Sequence, residues 1–273
     1  MTSIFSLVLP PDCQQVALCG GPYSNFSAVE AFLGATQAVS HRFCLGDIGG
    51  FGPHPNRTLE AIRQGGLACI QGNYDDAIGH GRRDCGCGYT AERDRRFAQI
   101  SYDYTYANTA PHHRQWLRAL PQQIRLQWGD RAILLCHGSP DQVNEFVWET
   151  TASDRQLQTY LKRFEVDGIC ATHSGLPWMR TVSLGDRSGF WFNVGVLGRP
   201  ANNGRRCVYY GVLERGSDGI QPRLVPLDYD VSAVTAAMRA EKLPEEFAES
   251  LETGIWTTCS EILPASEQQV CPV

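Results

Sequence analysis

An α/β fold, with strands joined by crossover helices, is what the sequence predicts. Two observations point there. Short apolar runs recur along the chain, and several are followed by stretches with helical spacing of apolar residues. That alternation is the pattern of a sheet whose strands are connected through helices.

The elements follow in order. Val16 to Cys19 reads as a strand, and a helix follows from about Ser27 to Val39, with Ala28, Ala31, Phe32 and Ala35 on one face. Arg42 to Leu45 is a second strand, Thr58 to Gln64 a helix, and Leu67 to Gln71 a third strand. Arg82 to Thr109 is rich in Arg, Asp and Tyr and contains Cys85-Gly86-Cys87; its charge predicts a surface insertion, partly helical from about Ala91. Pro111 restarts a helix that ends before Pro121. Ile124 to Trp128 and Ala132 to Cys136 form a hairpin turning at Gly129-Asp130. Ser153 caps a helix to about Phe164. Gly168 to Ala171, Phe190 to Val194 and Val208 to Leu213 are further strands, and Val231 to Leu251 is a pair of helices divided by Pro244. The expected organisation is one domain over residues 1–228, with an insertion at about 82–120, and a helical tail over 229–273 packed on it.

The chain has 273 residues, enough for a sizeable core, and a formal net charge of −5. That balance suggests neither a general nucleic-acid binder nor an anionic-membrane binder. No apolar run approaches the ~20 residues of a membrane span. The stretch from Met1 to Pro10 lacks a preceding positive charge and a small-residue cleavage site, so it reads as mature protein and the expected location is the cytoplasm. Eleven cysteines are scattered, with Cys19, Cys44, Cys69, Cys136, Cys170 and Cys207 inside apolar stretches. Reduced thiols, behaving as small buried hydrophobes, are expected rather than a disulfide framework.

Polar residues fall where the predicted strands end, the usual site position in such sheets. They are Asp47 in Leu45-Gly46-Asp47, Asn73 in Gly72-Asn73-Tyr74-Asp75, His137 in Cys136-His137-Gly138, and His173 in Thr172-His173-Ser174-Gly175. The adjoining glycines let the backbone turn sharply beside a ligand. One carboxylate, one amide oxygen and two imidazoles suit a divalent metal of the Mn, Fe or Zn kind. Each residue taken singly is a turn, a cap or a structural histidine; four such strand ends in one chain carry the metal reading.

Their order resembles the bacterial and archaeal branch of the calcineurin-like metallophosphoesterases, whose motifs run Asp-x-His, Gly-Asp, Gly-Asn-His, His-Gly and Gly-His-x-His. Gly46-Asp47 with the trailing Gly52-Pro53-His54-Pro55, and Asn193-Val194-Gly195-Val196-Leu197-Gly198-Arg199-Pro200, resemble two of that branch's segments. The match runs from about Val16 to Leu213. It implies a four-layer αββα sandwich, two mixed sheets flanked by helices, and hydrolysis of a phosphomonoester or phosphodiester at two metals.

This chain departs from the pattern in one place above all. The family's first Asp and His positions hold Gly21 and Tyr23, and its final His position holds Gly175. In the family these residues bind one metal, whereas Asp47 bridges and the equivalents of Asn73, His137 and His173 bind the other. The resemblance therefore implies one ion held by Asp47, Asn73, His137 and His173. A second alignment, with His173 at the last histidine and Ala171 at the one before, leaves two incomplete sites; the gapless one also places Pro177 and Arg180. The family's phosphate-contacting histidine is Tyr74 here, which can donate a proton but carries no imidazolium charge. Asp75, which often supports that histidine, is retained.

The expected reaction is single-metal phosphoester hydrolysis of a small phosphorylated molecule. Asp47, Tyr74 and Asp75 would carry catalysis, and Tyr23, Asn25, Arg180 and Arg199 would bind substrate. Two alternatives stay open: a catalytically degenerate metal- or phospholigand-binding protein, and a non-hydrolytic mononuclear iron enzyme built on Asp47, His137 and His173. His80, Cys85 and Cys87 are the residues of the insertion that can supply a second ion, against an incidental surface loop. Tyr102, Tyr104 and Tyr106 read as packing, and a homo-oligomer is open.

Overall fold

In the computed structural model, which describes residues 4–216 and 219–268, the chain folds as two stacked mixed sheets with helices on both outer faces. The first strands and helices are β1 (Ile4–Val8), β2 (Gln15–Cys19), α1 (Phe26–Ala35), β3 (His41–Cys44), α2 (Pro55–Gln64), β4 (Ala68–Cys69) and α3 (Asn73–His80). The middle of the chain forms α4 (Glu92–Ala107), α5 (Pro111–Arg118), β5 (Gln123–Trp128), β6 (Arg131–Leu135), α6 (Asp154–Arg163) and β7 (Gly168–Ala171). The chain continues through β8 (Pro177–Ser183), β9 (Ser188–Val194), β10 (Val208–Gly216), β11 (Gly219–Leu227), α7 (Val231–Ala240), α8 (Glu245–Thr253) and α9 (Ala265–Gln268).

One sheet has the order β1-β5-β6-β7-β9-β8 and the other β11-β10-β2-β3-β4. Strand alternation sorts the core into layers. Val16 and Leu18 of β2 point between the sheets, where they meet Phe43, Leu126, Trp128, Ile133 and Phe192. Ala17 and Cys19 point the other way, onto Val29 and Phe32 of α1 and Leu59 and Ile62 of α2. On the far side, Leu134, Ile169 and Trp191 pack under Leu157 and Leu161 of α6. Helix, sheet, sheet and helix make the four-layer sandwich that the sequence predicts. Strands β2, β3 and β4 run parallel, as do β6, β7 and β9, so the C-terminal ends of β3, β4, β6 and β7 carry the loops with Asp47, Asn73, His137 and His173.

Several local expectations change. The third strand shrinks to Ala68–Cys69, because Gly72 and the start of α3 follow at once. The apolar start of the chain is β1, an edge strand paired parallel to β5. The segment from Arg82 to Thr109 is not a purely surface insertion. Its arginines face outward, while Cys85, Cys87, Phe97, Ala98 and Tyr102 are buried against α3 and its neighbours. Tyr102 and Tyr106 stack and Tyr104 bonds to the Pro53 carbonyl, which is packing as expected. Among the described residues, no helix is long and apolar enough to cross a membrane.

The Ser153 hydroxyl accepts from the Gln156 N–H at 3.2 Å, capping α6 on an exposed surface. Ser153→Ala should cost about 1 kcal/mol of stability, the usual loss for an N-cap. Urea denaturation would read that loss, and metal binding should be unchanged.

Candidate metal centre

Asp47 owes its position to a sharply turned backbone. Gly46 and Asp47 both have positive φ, +89° and +57°, directly after β3. A Cβ on Gly72 would lie 2.2 Å from the Asp47 Oδ1 atom, so only glycine lets the two strand-end loops approach. Asp47 Oδ1 accepts the Tyr74 N–H at 3.0 Å, in the first turn of α3, where the helix dipole favours an anion. Asp75 fixes this arrangement from below. Its carboxylate accepts three backbone N–H groups, from Asp47 at 2.7 Å, Ile48 at 3.0 Å and Gly72 at 2.9 Å. Burial and the nearby Asp47 charge push the Asp75 pKa up to about 8, against the pull of those donors.

The two histidines arrive from the other sheet. His137 Nδ1 lies 2.7 Å from the Leu45 carbonyl, so that nitrogen carries the proton and donates. Its Nε2 then presents a lone pair to His173 Nδ1 at 3.1 Å and to Asp47 Oδ2 at 3.3 Å. His173 Nε2 faces the Cys87 carbonyl at 3.3 Å, so it is the protonated nitrogen and Nδ1 is the free one. Both tautomers are set by a carbonyl behind the ring, the arrangement that orients metal-ligating histidines. Burial and the neighbouring His137 push the His173 pKa down to about 3, which keeps the ring neutral. Burial disfavours charge on His137, while Asp47, the Leu45 carbonyl and Asp75 together raise its pKa above the ordinary value and so favour a proton that a cation at the site would displace.

Asn73 completes the set. Its Nδ2 donates to the Cys85 carbonyl at 2.9 Å and lies 3.3 Å from Cys87 Sγ. Its Oδ1 is buried and has no hydrogen-bond partner. Asp47 Oδ2, His137 Nε2 and His173 Nδ1 therefore meet in one buried cluster, and Asn73 with its unpaired Oδ1 directly precedes Tyr74, whose N–H bonds to Asp47. Asp47, His137 and His173 each place a ligand atom within 4.8 Å of the others. Atoms bound to one ion at ~2.1 Å lie roughly 3.0–3.4 Å apart at right to tetrahedral angles, which brackets the 3.1 and 3.3 Å found here. The residues present fit a divalent cation.

The places of the family's other ligands are filled by packing. A Cβ on Gly175 would meet the Trp256 indole at 3.0 Å, and one on Gly21 would meet Val196 at 2.5 Å and the Tyr23 ring at 2.9 Å. Tyr23 leans on Phe51, with ring centroids 5.3 Å apart. Beside His173 the remaining cavity is only about 10 Å³, space for about one water. Tyr23, Tyr89, Phe146, Trp148, Arg199 and Trp256 line it.

Among the other expected site residues, Arg199 reaches this cavity. It donates to the Thr258 carbonyl and stacks over Trp256 at 4.0 Å, and burial lowers its pKa. Arg180 does not reach it. It shares the outer face of β8 with Trp178 and donates to the Ala152 and Glu149 carbonyls near the start of α6. The Asn25 Oδ1 caps α1 by accepting the Ala28 N–H. Tyr74, expected to act in catalysis, bonds its hydroxyl to the Ala98 carbonyl and Ser101 Oγ of α4. Asp75, expected beside it, accepts the three backbone N–H bonds that join the two loops. His80 pairs with Asp76 on the surface at 3.1 Å.

Cys85 and Cys87 form a disulfide, which corrects the expectation that they are thiols of an incidental loop or ligands of a second ion. Cys13, Cys19, Cys44, Cys69, Cys136, Cys170, Cys207 and Cys259 are free. The sequence reading missed that this bridged loop touches both Asn73 and His173; the Cys-Gly-Cys spacing was its one visible signal. It missed Trp256 too, which lies far along the chain from any motif.

No family model matches the chain. An uncharacterized protein of Methanocaldococcus jannaschii is 22% identical over 252 residues, covering 88% of this chain and 98% of that protein. Among solved structures, a metallophosphoesterase from Sphaerobacter thermophilus aligns with a TM-score of 0.67 at 23% identity, covering 89% of this chain and all of that one. A hypothetical protein from Pyrococcus horikoshii aligns with a TM-score of 0.73 at 19% identity, covering 91% and 99% of the two chains.

His137→Ala should abolish divalent-metal binding, because it removes one ligand and leaves Asp47 and His173 without their shared partner. Tyr23→Phe should leave binding intact. Calorimetric titration with Mn2+ or Zn2+ checks both, and loss of metal in Tyr23→Phe would show that the ligands lie elsewhere.

Proposed function

Starting from the calcineurin-like metallophosphoesterase fold that these structures share with the chain, we propose that it is a single-metal phosphoesterase acting on a small phosphorylated molecule. Asp47, Asn73, His137 and His173 would hold the ion. The observation that carries this reading is the buried cluster of Asp47, His137 and His173, whose ligand atoms lie within 4.8 Å of one another, together with the unpaired Oδ1 of Asn73. Asn73 as a fourth ligand leaves fewer open positions than an iron redox site needs, which disfavours the oxidative alternative. Mn2+, Fe2+ and Zn2+ all suit the donor set. The free thiols suit a cytoplasmic location.

Asp47, Asn73, His137 and His173 would hold a divalent ion, which would supply Lewis-acid chemistry toward a phosphoryl oxygen. The chain's own residues do the rest. Asp75 holds the Asp47 turn and the start of α3 in register. The Leu45 and Cys87 carbonyls keep each imidazole in the tautomer that presents a lone pair. The aromatic wall of Tyr23, Phe146, Trp148 and Trp256 excludes water beside His173, and Arg199 is the one cation among the residues lining that cavity. With the family's histidine replaced by Tyr74, and that hydroxyl bonded into α4, no imidazole is poised to protonate a leaving group.

One specific observation favours a second reading, a metal-binding protein that no longer turns over. At Gly21 and Gly175, where the resemblance expects further ligands, Tyr23, Val196 and Trp256 occupy the space a side chain would need, which supports that reading.

Turnover should therefore be low. Removing one preorganised charge-stabilising group costs ~3 kcal/mol, or about a hundredfold in rate. The expected result with p-nitrophenyl phosphate and its bis-ester is weak, metal-dependent hydrolysis. Asp47→Asn should reduce it at least about a hundredfold, while Tyr74→Phe should retain it. No turnover from protein carrying its full complement of metal would establish the binding-protein reading instead.

A further inference from the structure

The metal ligands lean on a loop that can exist in two covalent states. Asn73 Nδ2 donates to the Cys85 carbonyl at 2.9 Å and approaches Cys87 Sγ at 3.3 Å. Those contacts turn the amide so that Oδ1, the ligating atom, is the one left without a partner. His173 Nε2 donates to the Cys87 carbonyl at 3.3 Å, which frees Nδ1. One short bridged loop thus orients two of the four ligands. Gly86, between the cysteines, and Gly88 just after them have positive φ, +61° and +84°. Apart from the bridge, the loop tip is tied by Asn144, whose amide donates to the Gly86 carbonyl at 2.8 Å. A bridge that closes so short a loop restrains the unfolded chain far less than one spanning a long loop. Its consequence is local, at the ligands it positions.

Cys85 and Cys87 are mostly buried but border open space. A surface cavity of about 250 Å³ is lined by Asp84, Cys85, Cys87, Arg95 and Gln99. It is wide enough for a small dithiol, whose thiolate attacks a bordering sulfur.

We infer that Cys85–Cys87 is a redox site whose state sets the metal affinity of the centre. This rests on the metal-centre reading proposed above. A dithiol attacks one sulfur, its second thiol displaces the mixed disulfide, and the products are two cysteine thiols and an oxidised dithiol. Two electrons and two protons pass to the protein. The freed loop no longer holds the two carbonyls against Asn73 and His173, and both ligands lose the partner that orients them. A bridge in a reducing compartment is characteristically transient or sensing, which is the role assigned here.

The test uses full-length protein stripped of metal by chelation, in two preparations: oxidised, or reduced with a dithiol and desalted without oxygen. Co2+ is the probe, since its visible spectrum reports coordination and a sulfur-to-cobalt charge-transfer band reports a thiolate ligand. Reduction should weaken Co2+ binding about ten- to a hundredfold, the usual effect of losing outer partners of metal ligands, and reoxidation should restore it. The double variant Cys85→Ser, Cys87→Ser should bind at the weak level and ignore the reductant, which excludes the other thiols. The wild-type comparison needs no substitution, so misfolding of the variant does not blunt the test. Equal affinity in the two states overturns the redox inference alone. Tighter binding on reduction, with a charge-transfer band, overturns it in favour of a thiolate ligand. No Co2+ binding in either state overturns it together with the metal-centre reading.

Discussion

Acceptor atoms crowded together inside a protein repel one another unless a cation or a proton sits among them. Here Asp47 Oδ2, His137 Nε2 and His173 Nδ1 are buried within 3.1–3.3 Å contacts of one another, and the Leu45 and Cys87 carbonyls hold the other nitrogen of each ring. Much of the local structure serves to maintain that state. The positive-φ turn at Gly46-Asp47, the absence of a side chain at Gly72 and the three N–H bonds to Asp75 bring two strand ends of one sheet together. The parallel β6 and β7 of the other sheet deliver the imidazoles. An unpaired buried polar atom costs ~1–3 kcal/mol, and a cation bound at Asn73 Oδ1 would remove that cost.

At the positions where the resemblance expects further ligands, the chain has apolar packing. Where the resemblance places an aspartate and two histidines, this chain has Gly21, Tyr23 and Gly175, and their space is taken up by the Tyr23 ring, Val196 and Trp256. Trp256 donates its indole N–H to the Pro200 carbonyl and lies under the Arg199 guanidinium. The result is a nearly closed aromatic cavity with one buried arginine in its lining.

Much of this was legible in the sequence because it depends on short-range pattern. The apolar run Val16–Cys19, and its alternation with helical patterns further along, announced the layered sheet, and Asp47, Asn73, His137 and His173 were singled out by sitting beside glycine or strand ends. What was not legible depends on contacts far apart in the chain. Nothing near Tyr74 says that its hydroxyl will find Ala98 and Ser101. Nothing near Arg180 says that β8 will turn it to the outer face with Trp178. Charge along Arg82 to Thr109 suggested surface, yet Cys85 and Cys87 are buried against the ligands, because outward arginines and inward cysteines share one loop.

The central claim is that this chain keeps one metal position and has packed over the other. Elemental analysis of protein purified without added metal tests it most directly, with metal expressed per chain. The account predicts one divalent ion per chain, and saturation with Mn2+ or Zn2+ should not raise that figure. Two ions per chain, or none before and after saturation, would contradict it.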